Sequence, residues 1–315
     1  MIAVCIAALI VASCQKEPDR TVGQTKFTIV ATLFPLYDFA RHIAGDKARI
    51  VLLLPPGVEA HSFEPKPGDM MKVNTANLLI YTGKYMEPWV EDILRGVDNK
   101  KLLVIDTSRG IVLKEGGADD DHQRPGLHKQ EEGHKHNHGK YDPHIWLDFS
   151  NAQKMVDNIL EGLIGQDPAN KDFYIANAAE YKTELQKLDG RFKNALSRCE
   201  KDTFIHGGHF AFDYLASRYN LRYISAYEGS PNAEPTLKRI IALKKEIQNR
   251  NIFYVYYEEL ITPRIADVLA RETGAKLLKL NGAHNISKDE LEQGRTFIQL
   301  MEENLSNLKV GLQCR

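Results

Sequence analysis

The sequence predicts an α/β fold of two lobes, each a mostly parallel sheet flanked by helices, bridged by one long helix. Short β-rich runs alternate with amphipathic stretches in two separate series, before and after the middle of the chain. One unusually long helical pattern lies between the two series. At 315 residues the chain also exceeds a typical single core, so two compact units suit it better than one.

In the first series, residues 27–31, 49–54, 77–81 and 101–105 read as strands, with helices over 36–44, 68–75 and 87–94. Strands separated by helices imply parallel pairing, because each return to the same edge of the sheet needs a crossover. A polar tract at 119–140 then reads as a long surface loop. Ser150 is a fair N-cap for a helix through residue 164. Asp167-Pro168 opens the long pattern, which runs to about residue 199 with Ala178, Tyr181, Leu185, Leu188, Phe192 and Ala195 on one stripe. Such a helix would be about 45 Å long at roughly 1.5 Å per residue, enough to cross two lobes, with Gly190 its weak point. The second series has strands at 203–206, 222–226, 252–258 and 276–280 and helices at 209–219, 234–250 and 263–273. Thr262, Pro263 and Gly274 punctuate the third of these helices as N-cap, first residue and C-terminal stop. A last helix covers 288–308. The domain reading is residues 1–13 as signal peptide, 14–25 as tether, 26–165 as N-terminal lobe, 166–200 as bridging helix and 201–315 as C-terminal lobe.

Composition narrows the function. Hydrophobic residues make up 43% and charged residues 26%, the profile of an ordinary globular protein. With 41 basic against 42 acidic residues, no global field favours nucleic acid or an anionic membrane surface. Residues 2–12 form an apolar run too short to span a bilayer, ending in Val11-Ala12-Ser13-Cys14. Small residues ahead of a cysteine resemble a bacterial lipobox, so the expectation is cleavage before Cys14, lipidation of its thiol and a periplasmic or cell-surface location. A secretory signal in which Cys14 is incidental is the plainer alternative. Cys199 and Cys314 then remain, either a disulfide or two isolated thiols.

Metal chemistry is the leading functional signal. Five histidines (His122, His128, His134, His136 and His138) crowd the polar tract, and neutral imidazole is the commonest protein ligand for zinc. Four more occupy comparable places at predicted strand ends or helix starts. His61 follows the strand and turn ending in Pro55-Pro56-Gly57; His144 lies in Asp142-Pro143-His144-Ile145-Trp146-Leu147-Asp148; His209 opens a helix; His284 follows the last strand. Ligands of open α/β sheets gather beyond the carboxyl ends of strands, and tetrahedral zinc takes four N, O or S donors. Taken singly, each of these is more often a hydrogen-bonded structural histidine, the role assigned to His42 and His206. Asp142, Asp148, Glu59 and Glu228 are candidates to orient the rings.

The motifs His61-Ser62-Phe63-Glu64-Pro65, Asp142 to Asp148, His209-Phe210-Ala211-Phe212-Asp213-Tyr214-Leu215-Ala216 and Ala233-Glu234-Pro235-Thr236 resemble the zinc and manganese group of metal-binding solute-binding lipoproteins of bacterial ABC transporters. The resemblance covers nearly all of the mature chain. It implies a metal buried between two bridged lobes, His61, His144 and His209 as ligands, and a histidine-rich loop like that of the zinc branch. The family usually has an aspartate after the last strand, where this chain has Asn281. His284, Asn281, Glu59 or water then completes the shell, and all-nitrogen coordination favours Zn2+ over manganese.

The expected role is therefore extracytoplasmic zinc capture by a monomer that delivers the ion to a membrane ABC permease. A manganese- or iron-binding member of the same group, a zinc hydrolase with a water in an open fourth position, and a surface adhesin are the alternatives. No His-Glu-x-x-His motif supports the hydrolase.

Overall fold

The computed structural model describes residues 27–116, 141–227, 235–260 and 262–315. The expected signal peptide at 1–13, Cys14, the tether to residue 25, the histidine tract at 119–140 and Glu228 lie outside the described residues. Among the described residues, no helix is long and apolar enough to cross a membrane.

Two four-stranded parallel sheets form the frame. In the first, β1 (Phe27–Ala31), β2 (Ala48–Leu52), β3 (Leu78–Tyr81) and β4 (Leu103–Asp106) lie in the order β2-β1-β3-β4. In the second, β5 (Thr203–His206), β6 (Arg222–Ser225), β7 (Tyr254–Tyr257) and β8 (Lys276–Lys279) repeat that order as β6-β5-β7-β8. The strand order therefore reverses direction beside β1 and again beside β5. Each reversal leaves a crevice at the carboxyl ends of the strands, where neighbouring loops splay apart.

Helices α1 (Phe34–Ala44), α2 (Pro67–Asn74) and α3 (Val90–Arg95) serve the first sheet, and α4 (Phe149–Gln166) leads to the bridge α5 (Lys171–Leu196). The second sheet carries α6 (Asp213–Arg218), α7 (Leu237–Asn249), α8 (Arg264–Thr273), α9 (Lys288–Glu292) and α10 (Phe297–Gly311). The bridging helix runs unbroken through Gly190, and it buries the stripe Tyr174, Ala178, Tyr181, Leu185, Leu188 and Phe192. One core cluster includes this stripe, Ile29 and Ile80 of the first sheet, and Phe204 and Tyr256 of the second. The alternate residues of the same second-sheet strands, Ile205 and Val255, face a smaller core with Leu243 and Leu269. Asp38 secures the bridge from within: fully buried, it accepts hydrogen bonds from Tyr181 Oη at 3.2 Å, Phe297 N at 2.9 Å and Arg41 Nη2 at 2.9 Å. That one carboxylate joins α1, α5 and α10.

Some boundaries differ from the sequence reading. Asp148, not Ser150, caps α4, accepting from the N–H groups of Ser150 at 2.7 Å and Asn151 at 3.4 Å. Pro168–Asn170 form a 3-10 turn before α5, because proline favours a fresh helix start. His209 opens no helix. It sits in the loop between β5 and α6, which begins at Asp213. Pro263, with no side-chain cap bond, takes the N-cap position of α8, and Gly274 ends that helix in the left-handed conformation at φ +77°. The expected last helix is two helices, α9 and α10, broken at Gly294 with φ +70° and restarted by a capping box between Thr296 and Gln299.

Cys199 and Cys314 are joined as a disulfide across a sequence separation of 115, tying the end of the bridge to the chain terminus. Closing so long a loop removes much freedom from the unfolded chain. Cys199→Ser together with Cys314→Ser should lower unfolding free energy by about 3–5 kcal/mol in denaturant titrations. Reductant should shift the wild-type transition toward that of the double variant.

Candidate metal centre

Each of the four candidate histidines is aimed by its own local sequence. Glu59 accepts from the backbone N–H of His61 at 2.9 Å and Ser62 at 2.8 Å, which folds the loop after β2 so that His61 faces the second lobe. Asp142 Oδ1 does the same for His144, accepting from its backbone N–H at 2.9 Å and contacting its ring Nδ1 at 2.6 Å. His209 follows Gly207-Gly208. A side chain at Gly207 would lie 2.7 Å from the Ala266 backbone, and one at Gly208 would lie 2.5 Å from Glu258 Oε1. Two glycines therefore let this loop press against α8 and the β7 end. There His209 Nδ1 meets Glu258 Oε2 at 2.5 Å.

His284 is held differently. Its segment follows β8, yet it is bound to loops of the first lobe: Phe34 N donates to His284 O at 3.3 Å and Gly57 N to Ile286 O at 2.9 Å. Asn285 Nδ2 donates to Pro55 O at 2.7 Å and Val58 O at 2.8 Å, and Trp146 Nε1 donates to Gly282 O at 2.8 Å. The sequence reading assigned two histidines to each lobe. In space the His284 segment is held by loops of the first lobe and by Glu259 of the second, so its ring lies between the two.

One ligand atom from each of His61, His144, His209 and His284 lies within 4.8 Å of all the others. Nε2 of His144 is 3.3 Å from Nε2 of His61 and 3.3 Å from Nε2 of His209. A tetrahedral ion with arms of about 2.0–2.1 Å has a donor–donor edge of about 3.3 Å, so these contacts match zinc geometry. Tautomers strengthen the point. Carboxylates at Nδ1 of His144 and His209 require N–H there, which turns both Nε2 lone pairs toward the same small space. Lone pairs so placed repel unless a cation or a proton lies among them.

The surroundings set the charge balance. His144, His209 and His284 are buried, with Trp146 edge-on against His144 and His284 at 5.6 and 5.5 Å. Burial, then the neighbouring imidazoles, hold the His144 pKa well below its usual value. Burial also opposes charge on His209, but Glu258, with Glu59 and Glu259, reverses this and raises its pKa above 6.5. Burial pushes the Asp142 carboxyl up to about 8. Glu258 is also buried, but the His209 charge and hydrogen bond bring it down to about 2. Four imidazoles thus share one small volume, with the acidic side chains Asp142, Glu258 and Glu259 behind them.

Other residues named from sequence fall elsewhere. Asp148 caps α4 and pairs with Arg218 at 2.7 Å. Asn281 Oδ1 accepts from Ala283 N at 2.7 Å, and Glu59 is engaged by backbone. His42 Nδ1 donates to Asp38 O at 2.7 Å. His206 is fully buried with neither ring nitrogen hydrogen-bonded, and burial lowers its pKa to about 4. Glu258 and Glu259 were missed. The usable signal was an acidic pair at the carboxyl end of an apolar strand next to a strand-order reversal.

The family profile described as zinc-uptake complex component A, periplasmic, matches residues 29–311. The high-affinity zinc uptake system protein ZnuA of Bacillus subtilis is 36% identical over 315 residues, covering 99% of this chain and 96% of that protein. The zinc-binding lipoprotein AdcA of Streptococcus pneumoniae is 34% identical over 306 residues, and the match spans 58% of its length. Among solved structures, the metal-dependent lipoprotein YcdH from Bacillus subtilis aligns with a TM-score of 0.76 at 35% identity, covering 91% of this chain and 100% of that one. The Zn(II)-bound ZnuA-like domain of Streptococcus pneumoniae AdcA aligns with a TM-score of 0.74 at 32% identity, covering 91% and 99%.

The charge on Glu258 supports protonation of His209, so Glu258→Gln should lower the His209 pKa below its wild-type value. Histidine ring resonances followed by NMR through a pH titration of the metal-free protein would register that fall. An unmoved His209 titration would contradict the assigned pairing.

Proposed function

The chain belongs to the family of periplasmic A components of zinc-uptake complexes, and from that premise we propose that it captures zinc outside the cytoplasm and delivers it to a membrane ABC permease. We assign His61, His144, His209 and His284 as the ligands. The observation that carries this assignment is the convergence of four imidazoles, two of their contacts at the edge length of a zinc tetrahedron.

The family is one of solute-binding transport proteins. Four protein donors favour holding over catalysis, since a catalytic zinc keeps a position open for water. An all-nitrogen shell also favours zinc over manganese, whose harder ion prefers carboxylate oxygen. The Cys199–Cys314 disulfide agrees with an oxidising, extracytoplasmic compartment. Cys14 we take as the lipid attachment site that keeps a monomeric protein near its permease, and the histidine tract as an accessory that gathers zinc loosely.

Zinc competes with protons here, and the sign follows from the shifts. Zinc needs His209 neutral and the Asp142 carboxylate ionised; both pKa values are raised, so both groups carry protons that binding must expel. Affinity therefore rises with pH and continues to rise up to about pH 8. Calorimetry near pH 7 in buffers of differing ionisation enthalpy should count more than one proton released. Asp142→Asn should reduce that count.

Competitive titration with a chromophoric chelator should find one tight zinc per chain. His144→Ala should weaken it by more than the roughly 10–100-fold typical of changes behind the ligands. Deleting residues 119–140 should leave that site intact, and its loss would refute the ligand assignment.

A further inference from the structure

The short segment that carries His144 is tied to α6 of the second lobe at both of its ends. At one end, Asp142 N donates to Lys114 O at 2.9 Å, and Asp142 Oδ1 in turn meets His144 Nδ1 at 2.6 Å. The rest of Lys114 faces α6: its N–H donates to Tyr214 Oη at 2.9 Å and its ammonium to Asp213 Oδ2 at 2.8 Å. At the other end, a 3-10 turn over Ile145–Leu147 links His144 to Asp148, with Leu147 N donating to His144 O and Asp148 N to Ile145 O, both at 3.2 Å. Arg218, the last residue of α6, donates from Nη1 to Asp148 Oδ1 at 2.7 Å. Its Nε and Nη2 donate to the two carboxylate oxygens of Asp189 on the bridging helix, each at 2.7 Å.

The same helix follows His209. Phe210, Ala211 and Phe212 alone separate that histidine from α6, and Tyr223 pins the stretch, its hydroxyl donating to His209 O at 3.0 Å and accepting from Ala211 N at 3.1 Å. Lys114 and Arg218 therefore connect the surroundings of one imidazole to those of the other by two separate routes, and the Nε2 atoms of the two rings lie 3.3 Å apart. Partly exposed ion pairs add little to global stability. These ties are specific in geometry instead: the Arg218 guanidinium meets Asp189 as a two-pronged fork, which fixes orientation as well as distance. A metal site tolerates displacements of only about 0.5 Å in its donors, so ties between ligand-bearing segments bear on affinity more than on folding.

We propose that Lys114 and Arg218 are positioning residues that hold His144 and His209 at the spacing of a zinc tetrahedron, and thereby sharpen the preference for zinc over a larger divalent ion. With both ties made, the 3.3 Å edge suits arms of about 2.0–2.1 Å. An ion with longer arms must push the two segments apart against both ties. This inference rests on the ligand assignment proposed above.

The test compares zinc with cadmium, a larger ion of the same charge, by competitive chelator titration of the full chain. Arg218→Lys keeps the charge and loses the fork, and Lys114→Met keeps the apolar stem and loses the ammonium. Each should weaken zinc about tenfold, as changes behind ligands do, while cadmium affinity moves by less than about threefold. A merely structural role would weaken both ions in step. Arg191→Met is the control: it breaks the Arg191–Glu302 pair between α5 and α10 and should leave both affinities within about twofold of wild type. The positioning role is overturned if both single variants bind zinc as wild type does, if cadmium falls in step with zinc, or if Arg191→Met loses as much zinc affinity as they do. If Arg218→Lys fails to fold, Asp148→Asn removes its charged partner while keeping a capping side chain for α4, and decides in its place. A wild-type chain that loads no zinc overturns the ligand assignment together with this role, whereas one tight zinc per chain with unmoved variants overturns the role alone.

Discussion

Four imidazoles, three of them buried, crowd one small volume, and the lone pairs that His144 and His209 turn into it repel unless a positive charge lies in their midst. The pressure for that charge is set behind the rings. Carboxylates at Nδ1 of His144 and His209 dictate which nitrogen keeps its hydrogen, and the opposite nitrogen is thereby left as a donor to metal. Against burial, Glu258 raises the His209 pKa, whereas burial and the neighbouring imidazoles depress that of His144. The site is best understood as a place where protons and a dication exclude each other.

The same arrangement would let the proposed site, with four imidazole ligands, manage a double positive charge. Asp142, Glu258 and Glu259 surround the imidazoles at one remove, each buried or nearly so. With the proposed ligands, negative charge kept behind them would preserve an all-nitrogen inner shell, which favours zinc, without leaving a dication uncompensated in a low-dielectric interior. A carboxylate placed directly on the ion would balance the charge equally well but would move the donor set toward harder metals.

The frame that holds the site is asymmetric despite its repeated sheets. Both sheets share one strand order, and in the second the reversal beside β5 places His209 and Glu258 together at adjacent strand ends. The first lobe, by contrast, contributes two imidazoles and also hydrogen-bonds the segment after β8 that carries His284. A core shared by both sheets, the bridging helix and the buried Asp38 fix the lobes against each other.

Much of this was legible in the sequence because it depends on local patterns. The two strand–helix series, the apolar stripe of the bridge and the stop at Gly274 follow from periodicity and backbone preference, which act over a few residues. His61, His144, His209 and His284 stood out because each lies at a predicted strand end or helix start. Nearby helix starts were harder: Ser150 read as the cap of α4, but Asp148, which also pairs with Arg218, takes that place.

The sequence by itself determined the kinds of atoms available and the ends of the strands from which they would be offered. The tertiary structure alone decided that Glu258 stands behind His209 across 49 residues, that the His284 segment is hydrogen-bonded to loops of the first lobe, and that Leu260 adopts a left-handed turn. The physical reason is range. Propensity and periodicity are written between neighbours, whereas ligand geometry, charge compensation and strain arise between segments that meet only after the core has closed.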